Sequence, residues 1–327
     1  MIVVDADVLG RDRTGDETYV ASLLRELPAA APELRFAALT RRPDLVPDGV
    51  EPVYVPARVQ ELRMAVRLPL LLRRLRPSLV HFVHAFPPAL PCPGVLTVQD
   101  LSFERDGSLM GPRETAIFRL TVPRSARRAA RVLAISQRTK DDLVELYGLP
   151  DGRVIVTPLA ADAAFRPADG ARDDYLLLVG SIEPRKRPLV AADAARAVGR
   201  PLVAVGPERD AELAGELRAR GADVRGVVAQ EELVRLYQRA SALLLPTAYE
   251  GFGLTAAEAM ACGTPVVAAP DAAVREAAGD AVAYAEPERF ADVLRDVLAD
   301  PERWSRAGLE RARLFSWAAT AATTVAV

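Results

Sequence analysis

Short apolar runs alternate with amphipathic stretches along the first half of the chain. The apolar runs predict β-strands at 2–5, 34–39, 52–55, 79–83, 95–98, 132–135 and 154–156. Apolar residues spaced three or four apart predict helices at 15–27, 60–75, 113–129 and 137–147. Strands that alternate with helices in this way are typical of an α/β protein with a parallel sheet.

A second series of the same kind follows residues 158–174, which lose apolar periodicity and have the composition of a linker. Its strands are predicted at 175–180, 202–205, 223–227, 242–245, 265–268 and 282–284. Because 327 residues exceed a usual single core, two domains are expected. The sequence therefore predicts Rossmann-like domains at 1–165 and 166–310, facing across a cleft, and a C-terminal helix, 311–327, that can pack back on the first domain.

Charge and cysteine content limit the partners and the compartment. The 42 Lys and Arg residues nearly balance the 44 Asp and Glu residues, so no overall positive field favours nucleic acid. Cys92 and Cys262 are too few for a disulfide framework, which favours a reducing compartment. The first residues resemble a strand and not a leader, and charges interrupt every apolar run before ~18 residues. We therefore expect a cytoplasmic protein.

The most informative segment is 246–268, where two acidic residues bracket a glycine loop that opens a helix. Gly251 and Gly253 permit close approach of the backbone, and Thr255 with Glu258 has the spacing of a capping box. The amides of a helix N-terminus suit a diphosphate, and carboxylates such as Glu250 suit sugar hydroxyls. The alternative is that Thr255 and Glu258 only cap the helix and Glu250 is a solvated loop residue.

A basic loop, 179–188, follows the first strand of the second series. The carboxyl end of a strand is where a doubly wound sheet binds ligands, and Arg185 and Lys186 there could neutralise phosphate charge. The alternative is a solvated charged loop. The two loops together predict phosphate-binding and hydroxyl-binding groups at one edge of one sheet.

Over nearly its whole length the chain resembles the retaining glycosyltransferases of the GT-B fold, family four. The residues that carry the resemblance are Thr14-Gly15, 98–101, 134–136, 180–186, 250–258, Gly279-Asp280 and 315–317. Among them, two glutamates separated by seven residues around the glycine loop form the most specific motif.

The resemblance implies a role for each matching residue. Glu250 would contact the donor sugar as a catalytic residue, and Glu258 would hold the ribose hydroxyls. Arg185 and Lys186 would bind the diphosphate. The remaining contacts with the donor would come from the loop amides and from residues near the base within 226–233: Gly251, Phe252, Gly253, Leu254, Val228 and Leu233. Gly15 would let the first loop of the chain approach the donor phosphate or the acceptor.

The chain departs from its family pattern at two positions. Gln99 stands where many relatives have a histidine that lies beside the donor sugar; Gln keeps hydrogen bonding but cannot act as a base at neutral pH. Ser181 stands where many relatives have an arginine, whose charge Arg185 could supply. His81 and His84 flank a strand end, and either lines the acceptor side or is a structural residue.

The implied function is transfer of a hexose from a nucleotide-diphosphate sugar to a hydroxyl of a glycan, a lipid-linked or a small-molecule acceptor. We interpret Glu250 and Glu258 as residues that bind the donor. They are not interpreted as the catalytic carboxyl pair of a retaining hydrolase, whose two groups lie about 5–5.5 Å apart. No cofactor besides the donor and no metal is expected, and we treat Asp5-Ala-Asp7 as a chance acidic pair.

Two other classes of protein stay open. The first is a nucleotide-sugar-binding or scaffolding protein with the same fold and impaired catalysis. The second is a nicotinamide dehydrogenase, which the missing Gly-x-Gly-x-x-Gly fingerprint disfavours. Separately, arginines cluster at 63–76 and 119–131 beside Leu-rich turns, which fits either peripheral contact with the inner face of a membrane or a solvated face.

Overall fold

The structure, a computed structural model, describes residues 1–11, 15–56, 59–107 and 111–327. It divides into two compact units. The first unit contains 1–159 and 317–327, and the second contains 160–316. The boundaries thus fall a few residues before the predicted 165 and after the predicted 310.

A seven-stranded parallel sheet forms the first unit, with the order β3-β2-β1-β4-β5-β6-β7. Its strands are β1 Ile2–Asp5, β2 Phe36–Thr40, β3 Val50–Tyr54, β4 Leu79–Val83, β5 Gly94–Val98, β6 Arg131–Ala134 and β7 Val154–Val156. The strand order reverses between β1 and β4. Since doubly wound sheets bind ligands at such a switch point, the carboxyl ends of β1 and β4 mark a candidate site.

Helices cover the two faces of this sheet. They are α1 Gly15–Ala30, α2 Gln60–Leu62, α3 Leu68–Leu75, α4 Ser102–Arg105, α5 Pro112–Arg128 and α6 Gln137–Tyr147. The single helix predicted at 60–75 is a contiguous helical segment whose middle, Arg63–Arg67, is π-helical. Pro69 follows this stretch; because its ring and missing N–H disfavour a regular α-helical turn before it, a wider turn relieves the clash.

The second unit is built on a six-stranded parallel sheet with the order β10-β9-β8-β11-β12-β13. Its strands are β8 Leu176–Val179, β9 Leu202–Val205, β10 Asp223–Val224, β11 Ala242–Leu245, β12 Val266–Ala268 and β13 Ala283–Tyr284. β10 ends earlier than predicted, since Gly226 has a φ of 66° that ends the extended backbone. The order reverses between β8 and β11, which is the switch point of this sheet.

Helices also cover both faces of the second sheet. They are α7 Pro188–Ala197, α8 Ala211–Ala219, α9 Gln230–Arg239, α10 Leu254–Ala261, α11 Ala272–Ala278, α12 Phe290–Ala299 and α13 Pro301–Ala312. Alternate residues of the central strands belong to two separate cores: Leu177 and Leu243 to one, Leu176 and Leu244 to the other. Burial of each such leucine contributes roughly 1.5–3 kcal/mol, so continuous apolar runs stabilise a sheet covered on both faces.

The segment with linker composition packs on the second unit. The ring of Phe165 lies 5.6 Å from that of Tyr237 in an edge-on contact. Arg172 donates to the carbonyl oxygens of Gln238, at 3.0 Å, and Cys262, at 3.2 Å. Arg172 thereby satisfies carbonyl groups at the C-terminal ends of α9 and α10, which composition does not reveal.

The last helix, α14 Trp317–Val325, belongs to the first unit. It packs against α1, where the rings of Trp317 and Tyr19 lie 6.2 Å apart. Thr320 Oγ1 donates a hydrogen bond of 2.6 Å to the carbonyl oxygen of Pro158. The chain therefore returns to its N-terminal unit after the second unit is complete.

Candidate functional site

The two loops singled out by the sequence meet at the switch point of the second sheet. The loop after β8 carries Arg185 and Lys186, and the loop after β11 carries Glu250. Lys186 Nζ lies 2.5 Å from Glu250 Oε1, and the two side chains are only 13% and 11% exposed. A buried cation and a buried carboxylate thus face each other where a doubly wound sheet binds ligand.

Arg185 joins the same two loops by both its backbone and its side chain. Its guanidinium donates to the carbonyl oxygen of Tyr249 at 2.8 Å and to Glu183 Oε1 at 2.8 Å. Its own carbonyl oxygen accepts from the amide of Ala248 at 2.8 Å. Arg185 is therefore held in place by the fold, with its charge beside Glu250.

Glu250 is an ionised carboxylate. Burial by itself would raise its pKa, but the charges of Lys186 and Arg185 outweigh that effect and lower the pKa below the ordinary value. The amide of Glu250 donates to Asp271 Oδ2 at 3.3 Å. Asp271 Oδ1 in turn caps α11 by accepting from the amides of Ala273 and Val274. The Glu250 loop is thus fixed to the start of a second helix.

The capping box predicted at Thr255 and Glu258 is wrong. The helix α10 begins at Leu254, and its N-cap is Gly253, at a φ of 96°. The amides of Ala256 and Ala257 bond to the carbonyl oxygen of Gly253, which places Thr255 inside the first turn. The glycine turn starts the helix too early for Thr255 to cap it, and Thr255 Oγ1 is buried without a partner in the described part of the chain.

The N-terminus of α10 has no side-chain cap among the described residues. The first turn of the helix carries the partial positive charge of the helix dipole, and the amides of Ala256 and Ala257 bond to the carbonyl oxygen of Gly253. Gly251, Phe252 and Gly253 are buried, and the ring of Phe252 packs edge-on against Phe315 at 5.7 Å. The loop that opens α10 is therefore packed on its own unit, at the positive end of the helix dipole.

Glu258 lies on the face of α10 that points to α9. Its Oε2 accepts a hydrogen bond of 2.8 Å from the hydroxyl of Tyr237. Desolvation by burial raises the pKa of Glu258 to about 7, although the bond from Tyr237 works in the opposite direction. The two glutamates therefore differ in charge: Glu250 is ionised, and Glu258 titrates near neutral pH.

Two glycines shape the loop that carries Arg185 and Lys186. Gly180 and Gly206, which follow β8 and β9, have φ values of 141° and 144°. A Cβ added to Gly206 would lie 2.1 Å from the carbonyl oxygen of Gly180. The backbones of the two loops can approach only because residue 206 has no side chain. Val228 and Leu233, predicted near the base, are partly buried and pack on the core of the same unit.

In the first unit, the structure brings Gly15 and Gln99 together. A Cβ on Gly15 would make an ordinary contact of 3.8 Å with Gln99 Oε1, so the space around Gly15 does not by itself demand glycine. Gln99 is 7% exposed, and its Nε2 has no partner among the described residues. His84 Nε2 lies 3.3 Å from Asp16 Oδ1 at the same edge. Thr14 lies outside the described residues.

Arginines pair with the two acidic residues at and just after the end of β1, Asp5 and Asp7. The guanidinium of Arg63 pairs with Asp5, and Arg41 and Arg11 both pair with Asp7. Arg63 is fully buried, and its charge offsets part of the burial effect, which leaves the pKa of Asp5 above its ordinary value. Among residues 1–11, 15–56, 59–107 and 111–327, no group of three metal-ligating side chains comes together. Within the same ranges, no helix is both long and apolar enough to cross a membrane.

Tyr237, Asp271 and Gly206 are the site residues that sequence reasoning missed. Asp271 follows a proline and opens a helix, which is a recognisable N-cap signal. Tyr237 and Gly206 carry no comparable signal, because their importance comes from residues 21 and 26 positions away.

Two doubly wound parallel α/β units, each with polar side chains at its switch point, define the class of the fold. Residues 13–165 match the model of Glycosyltransferase Family 4, and residues 173–300 match the model of Glycosyl transferases group 1. Together the two matches span most of the chain. The chain therefore belongs to this family of glycosyl transferases.

A similar curated protein is the D-inositol 3-phosphate glycosyltransferase of Frankia alni, which is 32% identical over 266 residues. That match covers 70% of this chain and 63% of the relative, so the chain spans less than two thirds of the relative's length.

Solved structures share the fold over the whole chain. Sucrose-phosphate synthase from Thermosynechococcus elongatus superposes with a TM-score of 0.79 at 20% identity, and covers 99% of this chain and 97% of that one. HepE of Anabaena, in complex with UDP-glucose, has a TM-score of 0.76 at 16% identity. The superposition covers 100% of this chain and 99% of that one. The fold is thus the GT-B fold predicted from the sequence.

Proposed function

We propose that this protein is a metal-independent retaining glycosyltransferase that moves a hexose from a nucleotide-diphosphate sugar to a hydroxyl group. The observation that carries the proposal is the Lys186–Glu250 pair at the switch point of the second sheet, beside the uncapped N-terminus of α10. A cation and helix amides suit the diphosphate, and a neighbouring carboxylate suits the hydroxyls of the sugar.

In this proposal each group acts on a different part of the donor. Lys186 and Arg185 bind the diphosphate and stabilise the negative charge that develops as it departs, with the amides of 251–254. Glu250 binds the hexose, and Glu258 binds the ribose hydroxyls in its ionised form. Catalysis then consists of positioning and charge stabilisation, with retention at the anomeric carbon and without a metal.

The relatives support a choice of substrates to test. HepE was solved with UDP-glucose, which favours a uridine diphosphate sugar as the donor. The Frankia relative is named for D-inositol 3-phosphate, which favours a polyol phosphate as one acceptor beside glycans and lipid-linked sugars.

A thermal-shift series with UDP, GDP, ADP and TDP, and then with their sugars, tests the donor site. We expect one nucleotide to raise the melting temperature clearly more than the others, since a ligand that binds only the folded state stabilises it. Glu258→Ala should reduce that shift, and Glu250→Ala should reduce turnover of the donor more than the shift. If no nucleotide changes the melting temperature, the site is assigned wrongly.

The alternative is a nucleotide-sugar-binding or scaffolding protein without turnover, which the glutamine at position 99 favours. Release of free nucleotide from the donor separates the two proposals. A transferase hydrolyses the donor slowly when water replaces the acceptor, whereas a pure binder is stabilised by the nucleotide and releases none.

We also propose peripheral contact with anionic lipid through the first unit. Val59, Leu62, Val66 and Leu70 follow each other three or four residues apart and are between 45% and 60% exposed. The opposite side of the same helical segment is buried through Leu68 and Leu72.

Exposed arginines accompany this apolar stripe. Arg73 and Arg74 lie in the last turn of α3, and Arg113, on α5, reaches across to Glu61, 3.6 Å away. Ile117 and Leu120 add exposed apolar area on α5. A basic surface with exposed leucines complements anionic headgroups and the acyl region beneath them.

Co-sedimentation with vesicles tests this contact. Wild-type protein should pellet with phosphatidylglycerol-containing vesicles at low salt and stay in solution with pure phosphatidylcholine. Changing Leu62, Val66 and Leu70 to Ser should abolish pelleting, and Leu314→Ser, at an exposed leucine of the second unit, should not. Wild-type protein that stays in solution with anionic vesicles contradicts the proposal; a dimer that the triple variant loses identifies self-association instead.

A further inference from the structure

The pair formed by His84 and Asp16 spans the switch point of the first sheet. His84 directly follows β4, and Asp16 lies in the first turn of α1, in the connection after β1. The imidazole Nε2 is 3.3 Å from Asp16 Oδ1. In the second unit, the Lys186–Glu250 pair occupies the corresponding place. Each sheet thus carries a charged or polar pair where doubly wound sheets bind ligand.

The backbone at His84 is strained. Its φ of 64° lies in the left-handed region, and the amide of Ala85 donates to the carbonyl oxygen of Val83 at 2.8 Å across it. A hydrogen bond from residue i+2 to residue i around a positive φ makes a γ-turn of the rare, strained kind. Glycine or asparagine would fit this backbone better. A histidine here is explained by what its side chain does.

The two histidines of this strand end differ in how the fold uses them. His81 is buried, and its Nε2 bonds to Thr97 Oγ1 at 2.7 Å, as a structural histidine does. His84 Nδ1, by contrast, has no partner in the described part of the chain, and neither has Nε2 of Gln99 on the adjoining strand end. This edge therefore holds hydrogen-bonding capacity that the fold does not use.

We propose that His84 and Asp16 bind the attacking hydroxyl group of the acceptor, an inference that rests on the proposed glycosyl transfer. The distance of 3.3 Å is longer than that of a tight charge-assisted bond, and the side chains are 18% and 35% exposed. A hydroxyl group that binds against the side of the pair accepts the hydrogen bond from Nε2–H in place of the carboxylate, and donates its own proton to the carboxylate. Such a pair of bonds fixes the oxygen and points its lone pair away from both side chains.

The reaction balances without a proton remaining on either residue. The oxygen of the acceptor forms a bond to the anomeric carbon as the bond from that carbon to the diphosphate oxygen breaks. The proton of the hydroxyl, which points to the Asp16 carboxylate, passes to that carboxylate as the new bond forms and is then released to solvent. His84 and Asp16 thus orient the nucleophile and receive its proton, which Gln99 cannot take up at neutral pH.

Four variants test this inference. His84→Gly and His84→Asn remove the imidazole and suit the positive φ, and Asp16→Asn removes the carboxylate charge. Glu17→Gln is the matched control: it makes the same change one residue further along α1, where Glu17 Oε1 accepts from the amide of Gly10 at 2.6 Å. The readouts are turnover of the nucleotide sugar that gives the largest thermal shift, with water and with added glycerol as the hydroxyl probe, and the nucleotide-induced shift itself.

We expect the three site variants to lose about 10-fold or more in turnover to water and glycerol, with the nucleotide-induced shift unchanged. His84→Gly should keep or raise the melting temperature, because glycine relieves the strain, whereas a structural histidine would lower it when removed. Glu17→Gln should stay within about twofold of wild type.

Two contrary outcomes are distinguishable. If wild-type protein turns over the donor and His84→Gly does so within twofold, this inference is overturned and the proposed transfer stands. If wild-type protein binds nucleotide but turns over no donor at all, the proposed transfer is overturned, and this inference with it.

Discussion

Lys186 Nζ and Glu250 Oε1 lie 2.5 Å apart although 64 residues separate them in the chain. The two residues stand on loops after β8 and β11, strands that pair in parallel at the centre of the sheet. Because each side chain is nearly buried, neither charge is well solvated and each depends on the other. The pair therefore links the stability of the second unit to its proposed donor site.

Removal of one member of this pair should cost more than removal of both. Lys186→Met leaves the Glu250 carboxylate buried with less compensation, and we expect a loss of about 3–5 kcal/mol of unfolding free energy and a rise in the pKa of Glu250. The double variant Lys186→Met/Glu250→Gln should lose less than the sum of the single variants. Urea unfolding of the four proteins gives the coupling; strictly additive losses would show that the two charges do not interact.

The pH dependence of stability should reveal the raised pKa of Glu258. The folded-state pKa of about 7 exceeds the ordinary 4.5, so the folded protein binds an extra proton between these values. The contribution of Glu258 to the unfolding free energy should therefore be greatest below pH 4.5. It should fall by about 3 kcal/mol as the pH rises to 7 and above.

Glu258→Gln should remove this dependence. Measured by chemical denaturation at pH 5 and pH 8, the variant should gain stability relative to wild type at the higher pH. Tyr237→Phe serves as the control, because loss of its hydrogen bond to Glu258 should raise the pKa of Glu258 further. A difference between wild type and Glu258→Gln that is the same at both pH values would argue against a raised pKa.

Nucleotide affinity should depend on specific cations and not on the total charge of the basic loop. Arg185→Ala removes a guanidinium that the Tyr249 carbonyl and Glu183 hold in place, and should weaken diphosphate binding about 10–100-fold. Arg187→Gly is the matched control, because Arg187 is exposed and has a φ of 47° that glycine accepts. Titration calorimetry with the nucleotide compares them; equal losses would mean that the loop acts only through its overall charge.

Gly206 should be intolerant of any side chain. Alanine there would place a Cβ 2.1 Å from the carbonyl oxygen of Gly180 at a φ of 144°, and should cost several kcal/mol or prevent folding of the second unit. Gly215→Ala, inside α8 with no atom within 4 Å of the new Cβ, should instead stabilise the protein by about 0.5–1 kcal/mol. Thermal unfolding of both variants tests the contrast, and a Gly206→Ala protein as stable as wild type would refute the close approach.

Most strands and long helices could be predicted from the sequence, because apolar runs and three-to-four spacing report burial directly. The strands 2–5, 79–83, 154–156, 202–205 and 242–245 agree with the structure residue for residue. The prediction from local spacing was wrong at 255–258, where the same residues fit both a capping box and the first turns of a helix. A positive φ at Gly253, where an added Cβ would lie 3.2 Å from the side chain of Val274, decided between them.

The sequence by itself determined that two α/β series exist, that Arg185, Lys186 and Glu250 stand on loops after strands, and that Glu258 stands on the helix that follows. These are properties of neighbouring residues. Only the tertiary structure decided their partners and charges. Lys186 holds Glu250 ionised, burial beside Tyr237 brings the pKa of Glu258 to about 7, and Asp16 meets His84 across the switch point of the first sheet. The order of the strands in each sheet brings these residues into contact. A hydrophobic pattern that repeats every two or four residues does not show which distant strand will be the neighbour.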